Sequence, residues 1–315
     1  MFFLHKLEIM IEIREAKLED VSQIAQLYQE VWGDKYPFPD YIKESEIEKT
    51  IRENECIWML ALDGGKVVGS ATCAYNKWNN SAEFGRGVIK KEYRSQHIGK
   101  VASEKLIEKA FERGLDICYG RPRNIKVHSV VTFLGFQLVG YMPGPYLIDF
   151  RELCLFAIKL SENCRKKRVT PIEKNKIYDL HLVKEIDRAL SLKENPGEYP
   201  ADIFVGDDTH STGALRFIYS ENNRALFFTS LNNISEVNRG NIEYIEGDIV
   251  ADKIGKINML KSLGFKMTAY LPAWYEKEGR RFDCVKMVNY IKEFGYCDEF
   301  IQKIKELVDI GFKDD

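Results

Sequence analysis

The chain has 315 residues, 45% of them hydrophobic and 30% charged, with a formal net charge of −2. Against a usual domain size of roughly 150 residues that length favours two domains, and the apolar content excludes a disordered chain. Near-neutral charge argues against a broad electrostatic footprint for nucleic acid, and no segment reads as a secretory signal or a membrane span. Seven cysteines without C-x-x-C spacing fit reduced thiols, so a cytoplasmic protein without nucleic-acid or membrane partners is expected. Cys73, Cys118, Cys154 and Cys284 sit in apolar runs and read as small buried hydrophobes.

In chain order, residues 11 to 14 alternate apolar and charged as a strand does, and Leu18-Glu19-Asp20 opens a helix carrying Val21, Ile24, Leu27, Tyr28 and Val31 at helical spacing. A second helix is expected over Glu44 to Arg52. Strands follow at Ile57–Leu62 and Lys66–Tyr75, joined by the hairpin signal Asp63-Gly64-Gly65, and another runs from Ala82 to Ile89. The next helix begins near Ile98, places Val101, Leu106, Ile107 and Ala110 on one face, and stops at Gly114. A strand at Ile117–Tyr119, a helix over Lys126–Leu134, and strands around Leu138–Tyr141 and Leu153–Ile158 complete a mixed sheet with helices on both faces.

Leu134-Gly135-Phe136, Tyr141-Met142-Pro143 and Cys154 are echoed by Leu263-Gly264-Phe265, Tyr270-Leu271-Pro272 and Cys284. The two Gly-Phe pairs lie 264 − 135 = 129 residues apart, one domain length, which argues for two copies of one fold in tandem. The boundary is expected in the charged stretch Ser161 to Arg168, read as a solvated linker, and a helical tail is expected over Asp298 to Gly311.

The chemistry is expected where the strand ending Gly87-Val88-Ile89 turns through Lys90-Lys91-Glu92-Tyr93-Arg94-Ser95-Gln96-His97 into the helix opened by Ile98-Gly99-Lys100. A helix N-terminus holds unpaired N–H groups and the positive end of the helix dipole, and both favour phosphate oxygens. Gly99 lets backbone approach a ligand, and Arg94 and Lys100 add positive charge. The competing interpretation is an ordinary strand-to-helix junction with a capped helix.

Arg94-x-x-His97-x-Gly99 resembles the motif of the Gcn5-related N-acetyltransferases (GNAT), in which Gln or Arg is followed after two residues by Gly, and after one more by Gly or Ala. His97 stands where that family usually has its first glycine. Asn124 through Phe136 is similar to the family's last helix with its Gly-Phe stop. The resemblance covers about residues 10 to 160 and implies an α/β (α+β) fold. It would comprise a cofactor-binding GNAT domain at 10–162 and a degenerate GNAT-like copy at 169–315, each a mixed, mostly antiparallel sheet flanked by helices. It further implies acetyl-CoA as acyl donor, with Val88 and Ile89 beside the pantetheine arm. Arg94, Ser95, Gln96, His97, Ile98, Gly99 and Lys100 would lie at the pyrophosphate, and Asn124 near the pantetheine. The position where many relatives carry an acidic tyrosine is Val131 here.

Transfer to an amine needs a proton acceptor and a stabilised oxyanion. Glu83, on the strand before the motif, is the candidate general base, with a cross-strand or surface pair as the alternative role. Backbone amides near Val88 and Ile89 are candidates to polarise the thioester. His5, His128, His181 and His210 form no ligand spacing, so no metal is expected. In the second copy Lys253 replaces Asn124 and no turn matches Arg94 to Gly99; Asp283, Arg280 and Arg281 read as solvated loop charges or as part of an acceptor pocket. The expected activity is acetylation of a primary amine on a small molecule or peptide. The alternative is a non-catalytic acyl-CoA-binding or interaction protein. A longer acyl donor also stays open, and oligomeric state is not readable.

Overall fold

A computed structural model describes residues 11–33, 36, 39–94, 96–123, 125–147, 151–172, 180–206, 215–218, 221–230, 234 and 241–290. Among them the chain divides into two compact units, one of residues 11–75 and 82–114 and the other of 76–81 and 115–290. The expected tail helix 298–311 and Cys297 lie outside the described residues.

The first unit comprises β1 (Ile11–Glu15), α1 (Val21–Trp32), α2 (Glu44–Arg52), β2 (Cys56–Asp63), β3 (Lys66–Asn76), β4 (Ser81–Ile89) and α3 (Ile98–Glu112). Its strands lie side by side in the order β1-β2-β3-β4, with β1–β2 and β2–β3 antiparallel. Helical spacing sets the core: Val21, Ile24, Leu27 and Tyr28 of α1 join Ile47 of α2, Trp58, Leu60 and Leu62 of β2 and Val88 of β4 in one buried cluster. Each such side chain withdrawn from water contributes about 1.5–3 kcal/mol. Asp20 fixes the entry to α1, accepting two hydrogen bonds from Arg14 at 2.7 and 2.9 Å and one from the Lys17 amide at 2.7 Å.

In α3 the buried ridge is Ile98, Ala102, Leu106 and Ala110, flanked by Ile107. Val101, expected on that face, is 40% exposed. The i, i+4 row that begins at Ile98 passes through Ala102 and leaves Val101 to one side.

The second unit contains β5 (Ile117–Gly120), α4 (Ile125–Phe133), β6 (Gln137–Leu147), β7 (Arg151–Leu160), α5 (Glu162–Lys167), β8 (Arg168–Val169), α6 (Leu180–Ala189), β9 (Phe204–Val205), β10 (Leu215–Phe217), β11 (Ala225–Phe228), β12 (Tyr244–Val250), α7 (Ile254–Ser262), β13 (Lys266–Lys277) and β14 (Arg280–Tyr290). Its strand order is β5-β7-β6-β13-β14-β12-β11-β10. The sheet is mostly antiparallel, with β11 parallel to β12 and β8 parallel to β14.

A helix, a left-handed glycine and a strand pair occur twice in this unit at one constant offset. The starts of α7 and α4 differ by 254 − 125 = 129 residues, those of β13 and β6 by 266 − 137 = 129, and those of β14 and β7 by 280 − 151 = 129. Gly135 and Gly264, which stop the two helices, have φ of 77° and 84°. β6 and β13 pair antiparallel with Gly140 opposite Ala269, and 140 + 129 = 269, so the two chain segments meet at equivalent positions. A Cβ on Gly140 would lie 2.2 Å from the Thr268 carbonyl oxygen, which explains glycine there.

Several charges expected to be solvated are buried in this unit. Arg168, expected in a solvated linker, is 1% exposed and donates from Nε and Nη2 to Asp283 at 2.7 and 2.9 Å. Arg281 and Asp283, both 0% exposed, lie in β14 and are not loop charges. Arg281 donates from Nε and Nη2 to Asp116 Oδ2 at 3.0 and 2.8 Å, and from Nη2 to the Asn79 carbonyl at 2.9 Å. Asp116 also accepts from Asn163 at 2.9 Å and from Asn80 at 3.2 Å. A charge pattern along a strand does not reveal burial when the partner lies 165 residues away in sequence.

Burial alone raises the Asp116 carboxyl, but Arg281 and the two asparagines more than offset it and hold the group below its ordinary range. Folding therefore favours the ionised form. Its contribution is fully present above the unfolded carboxylate pKa of about 3.9 and is lost as pH falls through the lower folded value. Asp116→Asn leaves a buried guanidinium unpaired and should cost about 3–5 kcal/mol at pH 7, measured by urea denaturation. That difference from wild type should shrink as the pH is lowered through the folded-state pKa of Asp116.

Candidate functional site

β4 and α3 are joined by a single 3-10 turn over Lys91–Tyr93 and the residues that follow it, and several contacts hold this junction in place. The Lys90 amide donates to the Val68 carbonyl at 3.0 Å, and Lys90 Nζ pairs with Glu30 of α1 at 2.6 Å. The Tyr93 hydroxyl donates to Asp63 at 2.6 Å, and Ile98 packs with Ala61 and Val68. Val88 is buried and Ile89 half-buried. Arg94 Nε donates to the Ile89 carbonyl at 3.1 Å, and Gln96 Nε2 to the Glu92 carbonyl at 3.2 Å, so both side chains fold back onto the turn.

His97 caps α3 with φ 59° and ψ 4°, a left-handed conformation. The departure from glycine thus leaves the left-handed turn in place, adopted by a residue type that enters this region more readily than most. The cost is about 1–2 kcal/mol relative to glycine's unstrained backbone. Gly99 serves packing as well: a Cβ there would meet Ile89 Cδ1 at 2.7 Å, so the first turn of α3 rests directly on the end of β4. Lys100 and Val101 amides both donate to the His97 carbonyl, at 3.0 and 3.1 Å, and the earlier amides of a helix have no partner within it. Arg94, Gln96, His97, Ile98, Gly99 and Lys100 therefore come together around one helix start. Ser95 and Asn124 lie outside the described residues. Val131 is 1% exposed, a core side chain without a proton to give.

Glu83 is half-buried in β4, three residues before a feature the sequence reading missed. Arg86, between Gly85 and Gly87, has φ 50°, a left-handed residue within the strand. The fully buried Tyr28 hydroxyl donates to its carbonyl and pins that conformation. The guanidinium carbon lies 4.6 Å from the centroid of the Tyr41 ring and 5.8 Å from that of Trp58. The indole is fixed in turn, donating to Thr50 Oγ1 at 3.1 Å. Arg86 Nη1 is buried without a hydrogen-bond partner among the described residues. Leaving such a donor unsatisfied costs about 1–3 kcal/mol.

Cys56, Tyr36, Tyr28 and Glu83 are the groups whose charges act most on Arg86. Burial pushes the Cys56 thiol up to about 12 and raises Tyr28 well above its usual value, so neither is an anion at neutral pH. Glu83 is the one carboxylate of the four. Tyr36 packs edge-on against Tyr28 at 5.3 Å and also lines an open pocket of about 550 Å³ with Gln26, Gln29, Ile42 and Lys43. A charged residue between two glycines inside a strand was the available signal for this site.

Among the described residues no group of three or more His, Cys, Asp or Glu is placed to hold a metal ion, and no helix is long and apolar enough to cross a membrane.

Residues 21–136, from the start of α1 to Phe136, match the acetyltransferase (GNAT) family. No curated protein matches the sequence. Solved structures similar to the chain include the ribosomal-protein-S5-alanine acetyltransferase from Vibrio fischeri, with 17% identity over 48% of this chain and 93% of that one and a TM-score of 0.42. The PaiA N-acetyltransferase from Thermoplasma acidophilum, in complex with coenzyme A, has 18% identity over 48% and 99% and a TM-score of 0.40. A GNAT acetyltransferase from Streptococcus pneumoniae has 21% identity over 48% and 98% and a TM-score of 0.42. Likeness this distant carries no argument about chemistry.

Position 97 provides a test of the turn. His97→Gly removes left-handed strain and adds unfolded-state entropy, so it should leave stability unchanged or raise it by up to about 1 kcal/mol. His97→Val, β-branched in the same conformation, should lower stability by about 1–2 kcal/mol. Equal melting of the two variants in urea would show that the turn does not impose a left-handed residue.

Proposed function

We propose that this protein transfers an acetyl group from acetyl-CoA to a primary amine of a small molecule or peptide, by direct attack in a ternary complex. The observation that carries this reading is the start of α3. A left-handed cap, a glycine without room for a side chain and two cations lie at a helix N-terminus within the segment that matches the acetyltransferase family. Such a terminus suits the pyrophosphate of acetyl-CoA: its free amides donate, its dipole favours negative charge, and Arg94 and Lys100 add to both. Val88 and Ile89 would flank the pantetheine arm.

In the reaction, the amine nitrogen attacks the thioester carbonyl carbon, the carbon–sulfur bond breaks, and coenzyme A leaves as the thiolate. Glu83 takes the amine proton directly or through water, a role worth 10²–10⁴ in rate for a well-placed base. Backbone amides at the end of β4 would stabilise the oxyanion. Val131 supplies no proton to the thiolate, so solvent or another side chain must. The second reading, an acyl-CoA-binding protein without turnover, is favoured by that buried valine alone.

We further assign the chain two tandem copies of the fold, at 10–162 and 169–315, with the second degenerate. The constant 129-residue offset of helix, glycine and strand pair supports this. None of the six described cysteines is in a disulfide and all are buried, which suits a reducing cytoplasm.

Isothermal titration with acetyl-CoA and with desulfo-CoA tests the cofactor assignment. Wild type should bind both, and Arg94→Glu and Gly99→Glu should each weaken binding at least tenfold. Thermal melting accompanies the Gly99 variant, because its new side chain meets Ile89. Binding unchanged in both folded variants, or absent in wild type, overturns the assignment. With an acceptor in hand, Glu83→Gln should lower kcat at least 10²-fold at neutral pH with the KM for acetyl-CoA unchanged. Initial-rate patterns should intersect, as a ternary complex requires.

A further inference from the structure

Arg86 is the one feature of β4 that the acetyl-transfer reading leaves unused. Its charge is permanent, because a guanidinium does not titrate in the working range of a protein. A cation drawn partly out of water is ordinarily matched by a carboxylate with satisfied hydrogen bonds. Here the match is incomplete: Glu83 acts on the guanidinium by its charge, yet among the described residues Nη1 is buried without an acceptor, and the large groups around the guanidinium are the rings of Tyr41 and Trp58. Rings take the faces of a guanidinium and leave its edge, where the N–H donors project. An edge of that kind pairs with a planar carboxylate through two parallel hydrogen bonds.

The arrangement is also held before any ligand arrives. Tyr28 fixes the Arg86 backbone and Thr50 fixes the Trp58 indole, so little ordering remains to be done on binding. Glu83 is close enough for its charge to act on Arg86. The strand thus presents a proton acceptor and an anion-binding edge three residues apart. An amine acceptor that also carries a negative charge would satisfy both.

We propose that Arg86 determines acceptor specificity by pairing with a carboxylate, so that the substrate class is amines bearing a free carboxylate, such as amino acids or a peptide with a terminal carboxylate beside its amine. This inference rests on the acetyl-transfer reading above. The carboxylate seats edge-on against the guanidinium between Tyr41 and Trp58 while the amine is presented to Glu83.

The test uses the full-length protein with saturating acetyl-CoA and matched acceptors: glycine, β-alanine, L-glutamate and L-lysine, each against its carboxamide. The readout is kcat/KM from release of the coenzyme A thiol. Wild type should favour at least one carboxylate over its amide tenfold or more. Arg86→Met should abolish that preference, with the change in the acceptor KM and none in the KM for acetyl-CoA. Arg86→Lys, which keeps the charge but not the fork, should retain only part of the preference and serves as the test if the methionine variant does not fold. Turnover without a carboxylate preference, or a preference that survives in Arg86→Met, overturns the proposal and leaves acetyl transfer standing. If no acceptor turns over, acetyl transfer to these amines fails separately, and thermal shift with the same carboxylates decides on Arg86. Stabilisation seen in wild type and lost in Arg86→Met supports the anion site, and its absence in wild type overturns it.

Discussion

Gly99 has no side chain, and for that reason the first turn of α3 lies against Ile89 at the end of β4. Everything at the candidate site follows from this contact. It sets where the free amides of the helix start stand relative to the strand, and the short chain between them closes through a left-handed residue at 97. Ile98 below, Tyr93 bonded to Asp63 and Lys90 paired with Glu30 hold the junction from three sides. The turn is strained at its cap and braced around it, which is how a functional backbone conformation persists against a cheaper alternative.

Elsewhere the molecule spends its charge differently. In the second unit Arg281 with Asp116, and Arg168 with Asp283 and Tyr270, are ion pairs removed from water with most of their lone pairs and N–H groups occupied. Lys286 is held in the same manner, donating to Asp248 at 2.6 Å, while Trp274 donates to that carboxylate at 2.9 Å. Pairs like these are weak sources of net stability but strict about geometry, because removing one partner strands the other. Arg168 and Arg86 each keep a buried Nη1 without a hydrogen-bond partner among the described residues, but Arg168 has Asp283 on Nε and Nη2, whereas the groups nearest the Arg86 guanidinium are two aromatic rings.

Much of the architecture was legible in the sequence because period and punctuation agree with the packing. The apolar stripe of α1, the bounds of α2, the Asp63-Gly64-Gly65 hairpin and the Gly-Phe stops all express local geometry that the chain carries in its own spacing. The strand, turn and helix start at 87–100 were legible for the same reason. What could not be read depends on partners distant in sequence. Arg168, Arg281 and Asp283 look like any exposed charges until their counterions arrive from other strands, and the rings around Arg86 come from positions 41 and 58. Val101 was misplaced because two adjacent residues compete for one helical row and only the packing partner decides between them.

The pairing of β6 with β13 joins residues 140 and 269, which occupy the same place in the two segments of helix and strand pair 129 residues apart. That is the geometry of a two-fold axis, here written into one chain. A contact of this form between separate subunits would dissolve on dilution, whereas a covalent link fixes the effective concentration of the two faces. The two segments are thus free to diverge in sequence, as identical subunits are not. Gly140 records the constraint that remains, since the axis passes where neither backbone can tolerate a side chain on that residue.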